Sequence, residues 1–300
     1  MTVSTRTKAI LALIATGALG GIAPLFMKIA LKEFSSYQIL FIRFGIASVL
    51  ITPLLIKYAK KITPKHLTYI LPGSLLFSGN VFLFVVGVQY TTSIVSQLFY
   101  LLTPIVVSLA NYFLFKEKIS IRRIISMIIC LGGSALLILR SIEATHLIRS
   151  IGTFHGNILI LCAMTSWSLY VVYTKKLSQK FEPPLFLVSN FITALVISCL
   201  SFAVTNTSFS TTLVTLFHSS PPVYLSLVAL GGINSVLFFF LYQWSLKHVS
   251  SFIVASSAYI SPLSAALFAI PFFGEQLSVT LLISAFSIFI GSYLILTEKK

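Results

Sequence analysis

Aspartate is absent from the 300-residue chain, and six glutamates are its whole acidic complement. Against 21 lysines and arginines this leaves a formal net charge of +15. Charged residues make up 9% of the chain and apolar ones 57%. That is too little charge to cover a soluble fold of this length and too much apolar surface to bury inside one, whereas a bilayer interior is itself apolar. The missing aspartate removes paired-aspartate catalysis. His66, His146, His155, His218 and His248 fall in loops or at the edges of apolar runs, with no metal-ligand spacing among them, so an enzyme is not expected. Cys130, Cys162 and Cys199 stand alone inside apolar runs, which excludes a disulfide framework and a zinc site. No metal and no cofactor are expected. The basic residues cluster between apolar runs, as in membrane proteins, so the expected partner is the lipid bilayer and not nucleic acid.

What the chain has in abundance is long apolar segments. A hydrocarbon core of about 30 Å takes roughly 20 helical residues to cross. Ten such spans are read at about 9–30, 37–57, 67–88, 93–115, 122–140, 154–174, 185–204, 223–246, 252–273 and 278–297. The first is one span of many and not a cleaved signal peptide. With a cytoplasmic N-terminus, sixteen lysines and arginines lie on the inner side and four on the outer, with Arg43 inside the second span. Both termini are therefore expected in the cytoplasm.

The sequence also repeats a phrase. "LTPIVVSLANYFLFKEKIS" starts at Leu102 and "ISPLSAALFAIPFFGEQLS" at Ile260. A shift of 158 superimposes Pro104 on Pro262, Phe115 on Phe273, Glu117 on Glu275 and Ser120 on Ser278. Upstream, a shift of 147 matches Lys28 with Lys175, Phe34 with Phe181 and Phe44 with Phe191. Five spans separate the copies, and five is odd, so the halves have opposite orientation. The expected architecture is all-α: a first five-helix repeat over 1–145 and an inverted second repeat over 146–300. Such duplication suits alternating access, in which the halves exchange shapes and a cavity changes sides.

Ten spans, the paired "P…FLFKEKIS" and "P…FFGEQLS" phrases, the closing "GGSALLIL" and "IGSYLIL", and an arginine early in span 2 together resemble the drug/metabolite transporter superfamily in its EamA-type branch. The resemblance covers nearly the whole chain. It implies a carrier of small organic solutes, often an exporter of amino acids or related metabolites, and a bacterial inner-membrane location. The alternative is a flippase moving amphiphilic, lipid-like substrates. A monomer is expected.

Candidate solute contacts come from helical spacing. Ser93, Gln97, Tyr100, Pro104, Ser108 and Asn111 share one stripe of span 4 and should avoid lipid. The matching stripe on span 9 is small: Ser251, Ala255, Ala258, Pro262, Ala266 and Ala269. Trp167 and Tyr170 project from span 6, opposite Gly20 and Ala23 on span 1, while Gly17 and Gly21 form a GxxxG pair suited to helix packing. Asn80, Asn234 and Tyr259 complete the set, and Tyr242 with Trp244 is read as an aromatic belt. Arg43 either binds an anion, snorkels or ties backbone carbonyls, and a family-wide arginine serving many solutes favours a structural or gating role. Pro104 and Pro262 are expected to mark hinges, and Glu117 and Glu275 to fix turns or form gate contacts. All six glutamates lie at span ends or in loops, so no carboxylate proton relay is expected.

Overall fold

The computed structural model describes residues 4–59, 63–91, 93–143, 152–205, 208–273 and 279–297, and every element among them is helical. The first half contains α1 (Thr5–Ala30), α2 (Ser36–Leu50), α3 (Thr52–Ala59), α4 (Pro64–Tyr90), α5 (Ser93–Tyr100), α6 (Thr103–Phe115) and α7 (Ile121–Glu143). The second contains α8 (Phe154–Leu177), α9 (Pro183–Thr205), α10 (Phe209–His218), α11 (Pro221–Gly231), α12 (Phe238–His248), α13 (Ser251–Ala255), α14 (Ser261–Phe273) and α15 (Val279–Leu296). A π-helical turn, Gly232–Leu237, joins α11 to α12, and a 3-10 turn, Ser256–Ile260, joins α13 to α14.

Eight helical stretches are long and apolar enough to cross a bilayer. A ninth is made by Ser36–Leu50 and Thr52–Tyr58 if this pair, bent by 58°, is one broken span. The fifth expected span coincides with α7, a helix of 23 residues that is not among the nine. Between the expected spans 7 and 8 lies α10, whose N-cap Ser208 accepts from Thr211 N. Gln38 Nε2 ties this helix down by donating to Thr212 Oγ1 at 3.0 Å.

Local chemistry sets the helix ends. Ser35 and Gln38 form a capping box at the start of α2, and Thr63 with His66 does the same for α4, supplying acceptors to otherwise orphan N–H groups. Pro104 opens α6, where its missing N–H costs nothing, and span 4 breaks at Leu101–Leu102 just before it. Span 9 breaks at the matching place, in the 3-10 turn preceding Pro262. Past the end of α6, Lys116 takes the left-handed conformation at φ 58°, and the N–H of exposed Glu117 returns to Asn111 O at 3.3 Å. Ser120 Oγ then caps Arg123 N at 3.1 Å. Glu275 and Ser278 lie outside the described residues.

The packing is dense along a few pairs of helices. α4 lies along α8, α7 along α15, α2 along α9, and α1 along both the α11–α12 span and the α13–α14 span. Phe44, Phe77, Phe191 and Phe239, all buried, interlock spans 2, 3, 7 and 8, with Phe77 and Phe239 edge-to-face at 4.8 Å. Close approach of α1 to span 9 depends on the absence of side chains: a Cβ at Gly17 would lie 2.7 Å from Ile260 Cβ, and one at Gly21 would collide with Ser264 Oγ and Ser261 O. This is the packing role that the GxxxG spacing suggests. Gly21→Leu is expected to push α1 off span 9 at a cost of about 2 kcal/mol or more, typical of overpacking, read as a lowered unfolding midpoint in detergent.

Candidate functional site

One end of the bundle is bonded shut. Arg6 Nη2 donates to Leu296 O at 2.8 Å, which brings the two ends of the described chain together there. At the same end Asn111 Nδ2 donates to Ser251 Oγ at 2.8 Å, and Ser245 Oγ donates to Ala9 O at 3.1 Å. The Arg123 guanidinium covers the Phe252 ring at 4.5 Å. Lys175 Nζ donates to both Leu246 O and Val249 O, each at 2.7 Å.

Towards the opposite end a cavity of about 260 Å³ runs down the bundle axis. Its wall is built from residues Thr16 to Leu31 of α1, Asn80 to Val88 of α4, Ser96 to Leu101 of span 4, and Leu230 to Tyr242 of span 8. Trp167 and Arg43 enter from spans 6 and 2, and Ala255, Ala258 and Pro262 close the side formed by span 9. Lys28 and Leu31, both exposed, stand at the mouth.

Six of the ten residues singled out in the sequence meet on this wall: Arg43, Asn80, Gln97, Tyr100, Trp167 and Asn234. Asn80 Nδ2 donates to Tyr100 Oη and, at 2.8 Å, to Ala163 O, so span 3 fixes the phenol of span 4 in place. Trp167 stacks on Tyr170 with ring centroids 5.2 Å apart, and Tyr242 and Phe239 lie against it at 5.1 and 6.0 Å. The remaining four residues lie off the wall. Tyr170 sits behind Trp167, where its Oη accepts from Asn190 Nδ2 at 2.6 Å and from Gln243 Nε2. Ser108 and Asn111 are buried in the closed end, and Tyr259 is fully buried in the turn before Pro262. Of the two prolines, Pro262 lines the cavity and Pro104 is buried away from it.

Arg43 ties a hydroxyl and a backbone carbonyl across two spans. Its Nε donates to Ser235 Oγ at 2.8 Å and its Nη2 to Asn234 O at 3.2 Å, tying span 2 to the π turn of span 8. A π turn displaces carbonyls from their regular helical donors, and a guanidinium with five N–H groups can serve them. Asn234 uses its Nδ2 on Leu19 O at 2.7 Å, while its buried Oδ1 has no partner among the described residues.

Sequence reasoning missed Tyr242, Phe238, Phe239 and Phe84, which supply much of the aromatic lining. Tyr242 is a correction: it is 2% exposed and faces the cavity, not a membrane interface. The signal was available in length. Span 8 has 28 residues, about 42 Å of helix, so a residue six positions from its end is well inside.

The EamA-like transporter family model matches this chain twice, over residues 7–139 and over 154–297, and so covers almost all of it. The chain belongs to the EamA-like transporter family. Relatives include an uncharacterized transporter of Clostridium kluyveri, 25% identical over 277 residues, covering 88% of this chain and 84% of the relative. The uncharacterized transporter YcxC of Bacillus subtilis is 25% identical over 300 residues, with 95% and 92% covered. A crystal structure of another protein shares the fold, with a TM-score of 0.78 at 15% identity over 96% of both chains. The protein is thus a multi-pass membrane protein of a transporter family with bacterial members.

The cavity wall makes a local prediction. The chain has two tryptophans, and only Trp167 touches the cavity. In a Trp244→Phe variant, a bound solute should quench or shift the remaining emission; in a Trp167→Phe variant, emission should not respond.

Proposed function

We propose that this EamA-family member is a secondary-type transporter that moves small organic solutes, amino acids or related metabolites, by alternating access between two inverted repeats, 1–145 and 146–300. The observation that carries the reading is the asymmetry along the bundle axis: a solute-sized cavity in one half and hydrogen-bonded closure in the other. Helix contacts support the repeat. Exchanging span numbers by five turns the α4–α8 contact into that of α1 with the α11–α12 span, and leaves the α7–α15 and α2–α9 contacts as they are. Ten spans, cytoplasmic termini and a bacterial inner membrane are part of this proposal; the positive-inside count supports the cytoplasmic termini, and on that orientation the closed end faces the cytoplasm.

The chemistry of the wall favours a solute with an apolar body and a carboxylate. Trp167, Tyr100, Tyr242, Phe84 and Phe239 offer ring faces, Arg43 and Lys28 are the lining cations, and the lining includes no carboxylate among the described residues. Arg43, Asn80, Gln97, Tyr100, Trp167 and Asn234 are the proposed contacts. Export is the proposed direction, by facilitated diffusion or exchange, since Glu33, Glu117 and Glu182 are all exposed at helix ends.

Reconstituted protein should show saturable counterflow of at least one member of an amino-acid panel. Gln97→Ala should reduce that flux about tenfold, the loss of a hydrogen bond to a charged group. Flux with lipids but with no member of the panel would instead select the flippase reading. Imposing a pH gradient should change the rate by less than about twofold, because no titrating relay is built into the path. A steep pH-gradient dependence would overturn the uncoupled mechanism.

A further inference from the structure

Lys28 and Lys175 occupy matched places in the two repeats, yet their environments differ completely. Lys175, in the last turn of α8, donates to Leu246 O and Val249 O at the C-terminus of α12. These are terminal carbonyls without helical donors, and they carry the negative end of the helix dipole. Gln179 Nε2 reinforces the contact by donating to Lys247 O at 3.2 Å. Lys28, in the last turn of α1, is exposed at the cavity mouth and makes no hydrogen bond or ion pair with a described residue.

The acceptor that Lys28 lacks already exists. The shift of 158 maps Leu246 onto Val88 and Val249 onto Thr91, at the C-terminus of α4. The backbones there coincide in conformation: Val249 ends α12 at φ −128°, ψ 170°, with its N–H on Ser245 O, and Thr91 ends α4 at φ −133°, ψ 176°, with its N–H on Gly87 O. The donor ends coincide too, since the residue closing α8, Ser178, has φ −62°, ψ −15° and its counterpart closing α1, Leu31, has φ −64°, ψ −9°. Val88 and Lys28 both line the open cavity, and no hydrogen bond identified from a described residue ends on Val88 O or Thr91 O.

Building on the alternating-access reading, we infer that Lys28 and Lys175 are reciprocal latches: each closes its own end of the cavity by capping the C-terminus of the opposing helix, and only one is engaged at a time. In the structure Lys175 is engaged and Lys28 is released. When the far end closes, Lys28 moves onto Val88 O and Thr91 O while Lys175 lets go of Leu246 O and Val249 O. Each lysine gains about the same hydrogen bonds that the other gives up, so neither end is favoured strongly and the exchange costs little.

The test needs no solute. With the exposed Cys162 and Cys199 replaced by Ser, a single Ala23→Cys on the cavity wall reports opening through its labelling rate with a membrane-impermeant maleimide. Lys175→Gln should lower that rate about tenfold, the effect of losing charged hydrogen bonds in one of two states. Adding Lys28→Gln should restore it to within about twofold of the parent, which a merely structural lysine would not do. Lys175→Arg, which keeps donors, should label like the parent, and Lys28→Gln alone should label at or above it. An unchanged rate in Lys175→Gln, no rescue in the double variant, or slower labelling in Lys28→Gln would each overturn the inference. Should Lys175→Gln not fold, the Lys175→Arg and Lys28→Gln outcomes still decide. Failed reciprocity with intact counterflow removes the latches alone, and reciprocity without any flux removes the transport reading instead.

Discussion

A backbone carbonyl inside a membrane has no water to turn to, so every irregularity in a spanning helix must be met by a donor from the protein itself. This constraint accounts for several of the polar contacts between spans. The π turn in span 8 is met by Arg43, and the carbonyl of Tyr259, in the 3-10 turn of span 9, accepts from Ser134 Oγ at 3.2 Å. The middle of α1, ahead of Pro24, has Gly17 O, Ala18 O and Leu19 O served by Ser261, Ser264 and Asn234. Spans 8 and 9 are thus fastened to span 1 through backbone acceptors, and close approach is possible because glycine stands at the contacts.

The same rule separates scaffold from cavity. Side chains engaged with backbone or with one another hold the wall in shape: Asn190 and Gln243 both donate to Tyr170 Oη behind Trp167, and Asn190 Oδ1 accepts from Ser74 Oγ at 2.9 Å. What remains facing the space is mainly ring faces, small residues and a few polar tips. Aromatic surfaces bind through area and quadrupole and tolerate varied partners, which suits a site whose specificity comes from a small number of polar groups.

Much of this was legible in the sequence. Composition placed the chain in a bilayer, the Pro–Glu–Ser phrase exposed the repeat, and helical spacing identified the faces of spans 1, 4, 6 and 9 that turn inward. Depth was harder to read. The stripe from Gln97 to Asn111 is a single inward face, but the break at Leu101–Leu102 divides it, so Gln97 and Tyr100 reach the cavity while Ser108 and Asn111 pack in the closed end. Periodicity identifies an inward face but does not say which half of a stripe lines a cavity and which half is packed. The π turn has no propensity signal of its own, so the sequence does not reveal the depth and direction of Tyr242 in the aromatic run that follows it.

The wall contributed by span 1 includes Thr16, Gly17, Gly20 and Ala23, and it is bare at Gly20, where the matching position of span 6 carries Trp167. Gly17 is locked against span 9, whereas Ala23 lines the cavity and takes no part in the hydrogen bonds that shut the closed end. The size of the chamber is therefore set on one face and its opening on others. A single codon change at such a position would resize the chamber and leave the hydrogen-bonded end untouched, giving one scaffold an evolutionary route to a differently shaped cavity.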